Sequence, residues 1–92
     1  LLVTIQIKQS IGGLKMIIKI EKTDTFGGEA NYSWVERYQL DPIINQTDNQ
    51  LIRRVKKVIG WTGVNCRKTN FGDMIELRPL NFCNVCFITF ED

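Results

Sequence analysis

The closing run N-F-C-N-V-C-F-I-T-F, Asn81 to Phe90, limits the fold more than any other part of the chain. Read as a strand, it places Val85 and Phe87 on one side and Cys86, Ile88 and Phe90 on the other. A strand apolar on both sides needs neighbours on both edges and cover on its faces. The run therefore predicts a central strand in a sheet, with other strands beside it and a helix over one face.

The rest of the chain supplies those elements. Met16 to Lys22 alternates Met16, Ile18 and Ile20 against Ile17, Lys19 and Glu21, the period of a strand with one strongly apolar face. Asn31 to Leu40 alternates too, with Tyr32, Trp34, Tyr38 and Leu40 expected on one side and Ser33, Val35, Arg37 and Gln39 on the other. Between them T-D-T-F-G-G-E-A has the turn chemistry of a hairpin connection. Asp41-Pro42 ends the second strand, because proline lacks the ladder N–H and restrains the residue before it.

A helix is predicted next, over Asp48 to Ile59. Thr47 and Gln50 have the spacing of a capping box, and Leu51, Ile52, Val55, Val58 and Ile59 recur on one helical face. Gly60 suits the left-handed stop, with Trp61 placed to pack back on the last turn. Beyond it, Val64–Lys68 and Met74–Arg78 flank the turn signal T-N-F-G-D. The fold class that follows is α+β: a mainly antiparallel sheet of four to five strands in β-β-α-β-β-β order, with one helix packed on one face.

A length of 92 residues with 43% hydrophobic content fits one domain, leaving little room for a deep catalytic cleft. The domain is read as residues 16–92. For residues 1–15 two readings stand. Gly12-Gly13 can be encoded as a bacterial ribosome-binding sequence ahead of a start at Met16, which makes the segment a translated leader; alternatively Leu1–Lys8, β-rich and alternating, is an extra first strand.

Several chemistries are set aside. The chain contains no histidine, which removes Ser/His and Cys/His catalysis. Cys83-Asn84-Val85-Cys86 has the C-x-x-C form, but in a strand its two thiols diverge, and with Cys66 it offers zinc only three ligands; all three cysteines read as structural. Asp24, Glu29, Glu36, Asp73 and Glu76 occur singly, without the spacing of a metal-dependent active site. Gly27-Gly28 leads into a strand and not a helix N-terminus, so it reads as a turn and not a phosphate cradle. No catalytic residue, metal or cofactor is assigned.

The low, odd cysteine count and the lack of a long apolar run predict a soluble, cytoplasmic protein with no membrane contact. Arg53, Arg54, Lys56 and Lys57 lie opposite the apolar helical stripe, and Arg67 and Lys68 follow. Clustered cations of this kind suit a phosphate backbone, so a non-enzymatic module binding nucleic acid or a nucleoprotein is the expected function. The alternative is a protein-directed inhibitor that engages a host protein through a sheet edge or the Tyr32, Trp34 and Tyr38 face. The apolar second face of the closing strand predicts a homodimer.

The stretches D-T-F-G-G-E-A-N-Y-S-W-V, W-T-G-V-N-C-R, G-D-M-I-E-L-R-P and C-x-x-C-F-I-T-F together resemble a group of small uncharacterised proteins from phages, plasmids and related mobile elements. The resemblance covers Met16–Phe90 and implies a setting, not a reaction. Residues 1–15 fall outside it.

Overall fold

The computed structural model describes residues 17–91. The two readings of residues 1–15 lie outside the described residues, as does Met16. Five strands and one helix follow in the order β1 (Ile17–Phe26), β2 (Glu29–Leu40), α1 (Asp48–Ile59), β3 (Cys66–Asn70), β4 (Met74–Pro79) and β5 (Asn84–Glu91). Every pairing is antiparallel, and the sheet order is β2-β1-β5-β4-β3. The fold is thus α+β in ββαβββ order, and the closing strand occupies the centre of the sheet.

Register sorts the side chains into two faces. Opposed residues share a face, and Ile18, Ile20, Ile75, Leu77, Cys86 and Ile88 line the same one. These residues form the core with Leu51, Val55 and Ile59 of α1 and with Trp61. The helix sits where the cap chemistry places it. Gln50 N–H donates to Thr47 Oγ1 (3.1 Å) and Thr47 N–H to Gln50 Oε1 (3.0 Å), closing the capping box. At the other end Gly60 is left-handed (φ 84°), and Trp61 N–H donates to the Lys56 carbonyl at 2.7 Å, the long bond of a Schellman stop.

Val58 was expected in the buried stripe, yet it is 37% exposed. Leu51, Val55 and Ile59 follow one another at four-residue steps, so the stripe centres on Val55. At about 100° per residue, Ile52 and Val58 flank that centre on either side. Ile52 is half-buried against the core, while Val58 turns to water.

The first hairpin is tighter than the turn residues suggest. β1 runs on to Phe26 and β2 starts at Glu29, leaving only Gly27 (φ 64°) and Gly28 (φ 84°) as the loop. Positive φ at both positions is the geometry that matches the twist of a two-residue hairpin, and it favours glycine at each. The pair is a turn. β5 starts later than expected, at Asn84, because Phe82 leaves the strand line to meet Trp61 edge to face, with ring centroids 5.7 Å apart.

β2 also departs from simple alternation. Thr23 pairs with Val35 but Thr25 pairs with Ala30, so residues 31–34 stand opposite Asp24 alone. The bulge is built by the residues around it. Asp24 accepts from Asn31 Nδ2 (2.9 Å), Ser33 N–H (3.0 Å) and Ser33 Oγ (2.6 Å). Fully buried Thr23 donates its hydroxyl to the Trp34 carbonyl at 2.7 Å, which satisfies a group the ladder has left free. Tyr32 takes φ 57° within this bulge.

Val55 and Val58 separate the core from the surface of one helix. Val55→Asp would bury an unpaired charge, a cost of several kcal/mol against a total stability of about 5–15 kcal/mol. The circular-dichroism melt of that variant should lose its cooperative transition, whereas Val58→Asp should melt within a few degrees of the wild type. Equal behaviour of the two would refute the placement of α1.

Candidate functional site

The open face of the sheet, opposite α1, carries a polar finish. Arg37 pairs with Glu21 (3.1 Å), Arg78 with Glu76 (2.9 Å) and Lys19 with Glu91 (3.1 Å). Arg78 also reaches the Gly28 carbonyl at 2.8 Å, which brings the tip of the first hairpin back toward this face. Val85 is fully buried and Phe87 half-buried among these groups. On this face, then, the closing strand is not left bare, while Tyr32 and Trp34 of the aromatic run stay partly exposed.

The three aromatic residues do not form one platform. Trp34 lies on the helix side, with Lys22 Nζ 5.8 Å from its ring centroid. Tyr38 packs on the core from that same side. Tyr32, turned by the bulge, donates instead to Glu21 Oε1 (3.3 Å), on the opposite face from Lys22. The positive φ at Tyr32 interrupts the period on which the single stripe depended.

Lys22 ties the helix side together. Its Nζ donates to the Ile59 carbonyl at the end of α1 (3.1 Å), pairs with Glu36 (3.0 Å), and lies 5.9 Å from the Trp61 ring as well as over Trp34. Glu36 also accepts from the Tyr38 hydroxyl at 2.6 Å. That bond, followed by the one from Lys22, holds the Glu36 carboxyl below its usual range. The same bond, with burial and the carboxylate charge, pushes the Tyr38 hydroxyl up to about 12.

The expected cations divide into two groups. Arg54 donates to Gln46 Oε1 (3.0 Å) and the Asp41 carbonyl (3.1 Å), and Lys56 donates to the Val64 carbonyl (2.7 Å). Both fasten loops to the helix. Arg53, Lys57, Arg67 and Lys68 are exposed and enter no ion pair or side-chain hydrogen bond among the described residues. Arg53 and Lys57 are one helical turn apart. On β3, the edge strand of the sheet among the described residues, Lys68 opposes Leu77 on the helix side, while Arg67 opposes Arg78 on the open side.

Burial, then the neighbouring Cys66, pushes the Cys86 thiol up to about 12, so it is protonated and inert near neutrality. Cys83 is exposed, just before β5, and does not form a site with it. Among the described residues no three His, Cys, Asp or Glu side chains gather as a metal site, and no helix is long and apolar enough to cross a membrane. The chain matches no protein-family model, and neither curated proteins nor solved structures include a similar one.

Two titrations test this geometry. Hydrogen bonds from Ser33 Oγ, then Asn31, and from the Ser33 N–H hold the Asp24 carboxyl far below its ordinary range. A depressed folded pKa contributes stability above the ordinary value of about 4, lost as pH falls below it. The melting temperature of Asp24→Asn should be lower at neutral pH and fall less steeply in acid; identical profiles would remove Asp24 as the bulge's organiser.

Tyr38 has the opposite sign. Its raised folded pKa stabilises below the ordinary phenol value of about 10 and is lost as pH rises through about 12. Tyr32 is raised as well, by burial and then the charge of Glu21. In an alkaline titration followed by phenolate absorbance, the folded chain should show little ionisation near pH ~10, where the denatured chain titrates. Native ionisation at the denatured midpoint would contradict the Tyr38–Glu36 bond.

Proposed function

We propose that the chain is a non-enzymatic module that binds nucleic acid through the flank formed by α1 and β3. One observation carries this reading: the described cations that no internal partner engages, Arg53, Lys57, Arg67 and Lys68, all lie on these two elements. Lys19, Lys22, Arg37 and Arg78 are engaged by carboxylates elsewhere. Exposed cations without counter-charges are the groups that release counterions from a phosphate backbone. Arg54 and Lys56 support the interface from behind by fixing the segments on either side of the helix. The resemblance to proteins of phages and plasmids supplies the setting in which such a module would act. A protein partner docking on an aromatic face is the weaker reading, because Tyr32 is separated from Trp34 and Tyr38.

Binding to a labelled oligonucleotide, followed by anisotropy across a salt series, tests the proposal. Four phosphate contacts predict a slope of log K against log salt of about −3 to −4. Replacing Arg53, Lys57, Arg67 and Lys68 together by alanine should flatten that slope, with little effect on the melt because all four are exposed. Salt-independent binding, or binding unchanged in the quadruple variant, would exclude this surface.

A further inference from the structure

The β3–β4 hairpin presents, beside two of the free cations, an aromatic ring that contributes little to the core. Phe71 is 56% exposed. Its position is nevertheless fixed: Phe71 N–H donates to the Met74 carbonyl (2.8 Å) and Gly72 N–H to Asn70 Oδ1 (2.7 Å). Asn70 Nδ2 in turn donates to Asp48 Oδ2 of α1 (3.1 Å), which joins the hairpin tip to the start of the helix. At about 3.3 Å per strand residue, Phe71 lies roughly 10 Å beyond Lys68 along the hairpin.

Given the nucleic-acid reading above, on which this inference rests, we infer that the ligand is single-stranded, with one base stacked on Phe71 and its neighbouring phosphates held by Lys68 and Arg67. Two features favour a single strand over a duplex. Arg67 and Lys68 project to opposite faces of β3, the edge strand among the described residues. A flexible strand can follow both around the edge, whereas a duplex is stiff over about 150 base pairs and offers a straight phosphate rail. An aromatic ring at a fixed hairpin tip also suits an unpaired base, whose face is available, and stacking of this kind tolerates any base. Asp73, two residues past Phe71, repels phosphate from the β4 side and so directs the strand along β3.

The other hairpin provides an internal control. Phe26 also precedes a glycine turn and is 80% exposed. It is the last residue of β1, whereas Phe71 precedes the start of β4; β1 and β4 both run antiparallel to β5, so the two tips lie at opposite ends of the sheet. Next to Phe26 the chain carries Glu29 and no free cation.

The experiment uses the full 92-residue chain and fluorescein-labelled mixed-sequence oligonucleotides, as single-stranded DNA, single-stranded RNA and the DNA duplex of the same sequence. At least one single strand should bind more tightly than the duplex. Phe71→Ala should weaken that binding roughly 10- to 100-fold, Phe71→Tyr should retain it, and Phe26→Ala should bind like the wild type, all with unchanged melts. Equal affinity of Phe71→Ala and wild type, an equal loss in Phe26→Ala, or a preference for duplex would overturn the stacking site. In each of those cases a salt-dependent loss in Arg67→Ala/Lys68→Ala would leave the underlying nucleic-acid reading standing. Absence of binding to all three probes would overturn both.

Discussion

The arrangement of the molecule depends on one half-buried ammonium. The Lys22 side chain is 12% exposed and lies where β1, β2 and the end of α1 converge. A charge withdrawn from water is costly unless its hydrogen-bonding capacity is met. Here it is met by the Glu36 carboxylate and the Ile59 carbonyl, with two tryptophan rings on its flanks. The C-terminal end of a helix favours a cation, and an indole face does so too. Each partner depends on a separate piece of local structure. The left-handed Gly60 ends the helix so that the Ile59 carbonyl is free and Trp61 folds inward. The bulge in β2 sets Trp34 and Glu36 on the helix side. A change in either piece would leave the ammonium short of partners, so the hairpin and the helix are coupled through Lys22.

Charge elsewhere is used differently on the two sides of the sheet. On the helix side Lys22 pairs with Glu36 directly across the β1–β2 hairpin, and it is its further bond, to the Ile59 carbonyl, that joins β1 to the end of α1. On the open side the pairs Arg37–Glu21, Arg78–Glu76 and Lys19–Glu91 lie within or between strands that already hydrogen-bond to each other. An exposed pair such as Lys19–Glu91 is worth only about 0–1 kcal/mol, while Arg78–Glu76 is more withdrawn from water. Register sets Glu21 and Glu76 on either side of Phe87, and the stems of long polar side chains are suited to covering apolar surface.

How much of this was legible in the sequence depends on whether the signal was local. Thr47, Gln50 and Gly60 act on backbone groups a few residues away, and α1 begins and ends where they predict. The two-sided apolar run from Val85 to Phe90 reports burial on both faces, and β5 is central. The bulge was missed because Asn31 to Leu40 keeps its alternation in sequence while the register slips in space. A signal was present nonetheless: Thr23-Asp24 stands across from Asn31 and Ser33, side chains that bond readily to backbone and so compete with a ladder. The six cations looked equivalent as a list. Arg54 and Lys56 were distinguished only by carbonyls of Asp41 and Val64, whose positions are set by loop paths that no periodicity encodes.

Those two engaged cations determine how the free ones are presented. Lys56 holds the Val64 carbonyl, and with it the segment that leads from α1 into β3. Arg54 holds the opposite connection, from β2 into the helix. Asn70 then closes the frame by bonding Asp48 at the first turn. The helix that carries Arg53 and Lys57 is in this way fastened to the edge strand that carries Arg67 and Lys68 at two separate points. Ordering flexible groups on binding costs conformational entropy, and a frame that is already fixed reduces that cost. A free lysine on a loose loop would contribute attraction alone; the same lysine on a braced edge contributes attraction at a defined distance from its neighbours. Position as well as charge is then available for a phosphate chain to match.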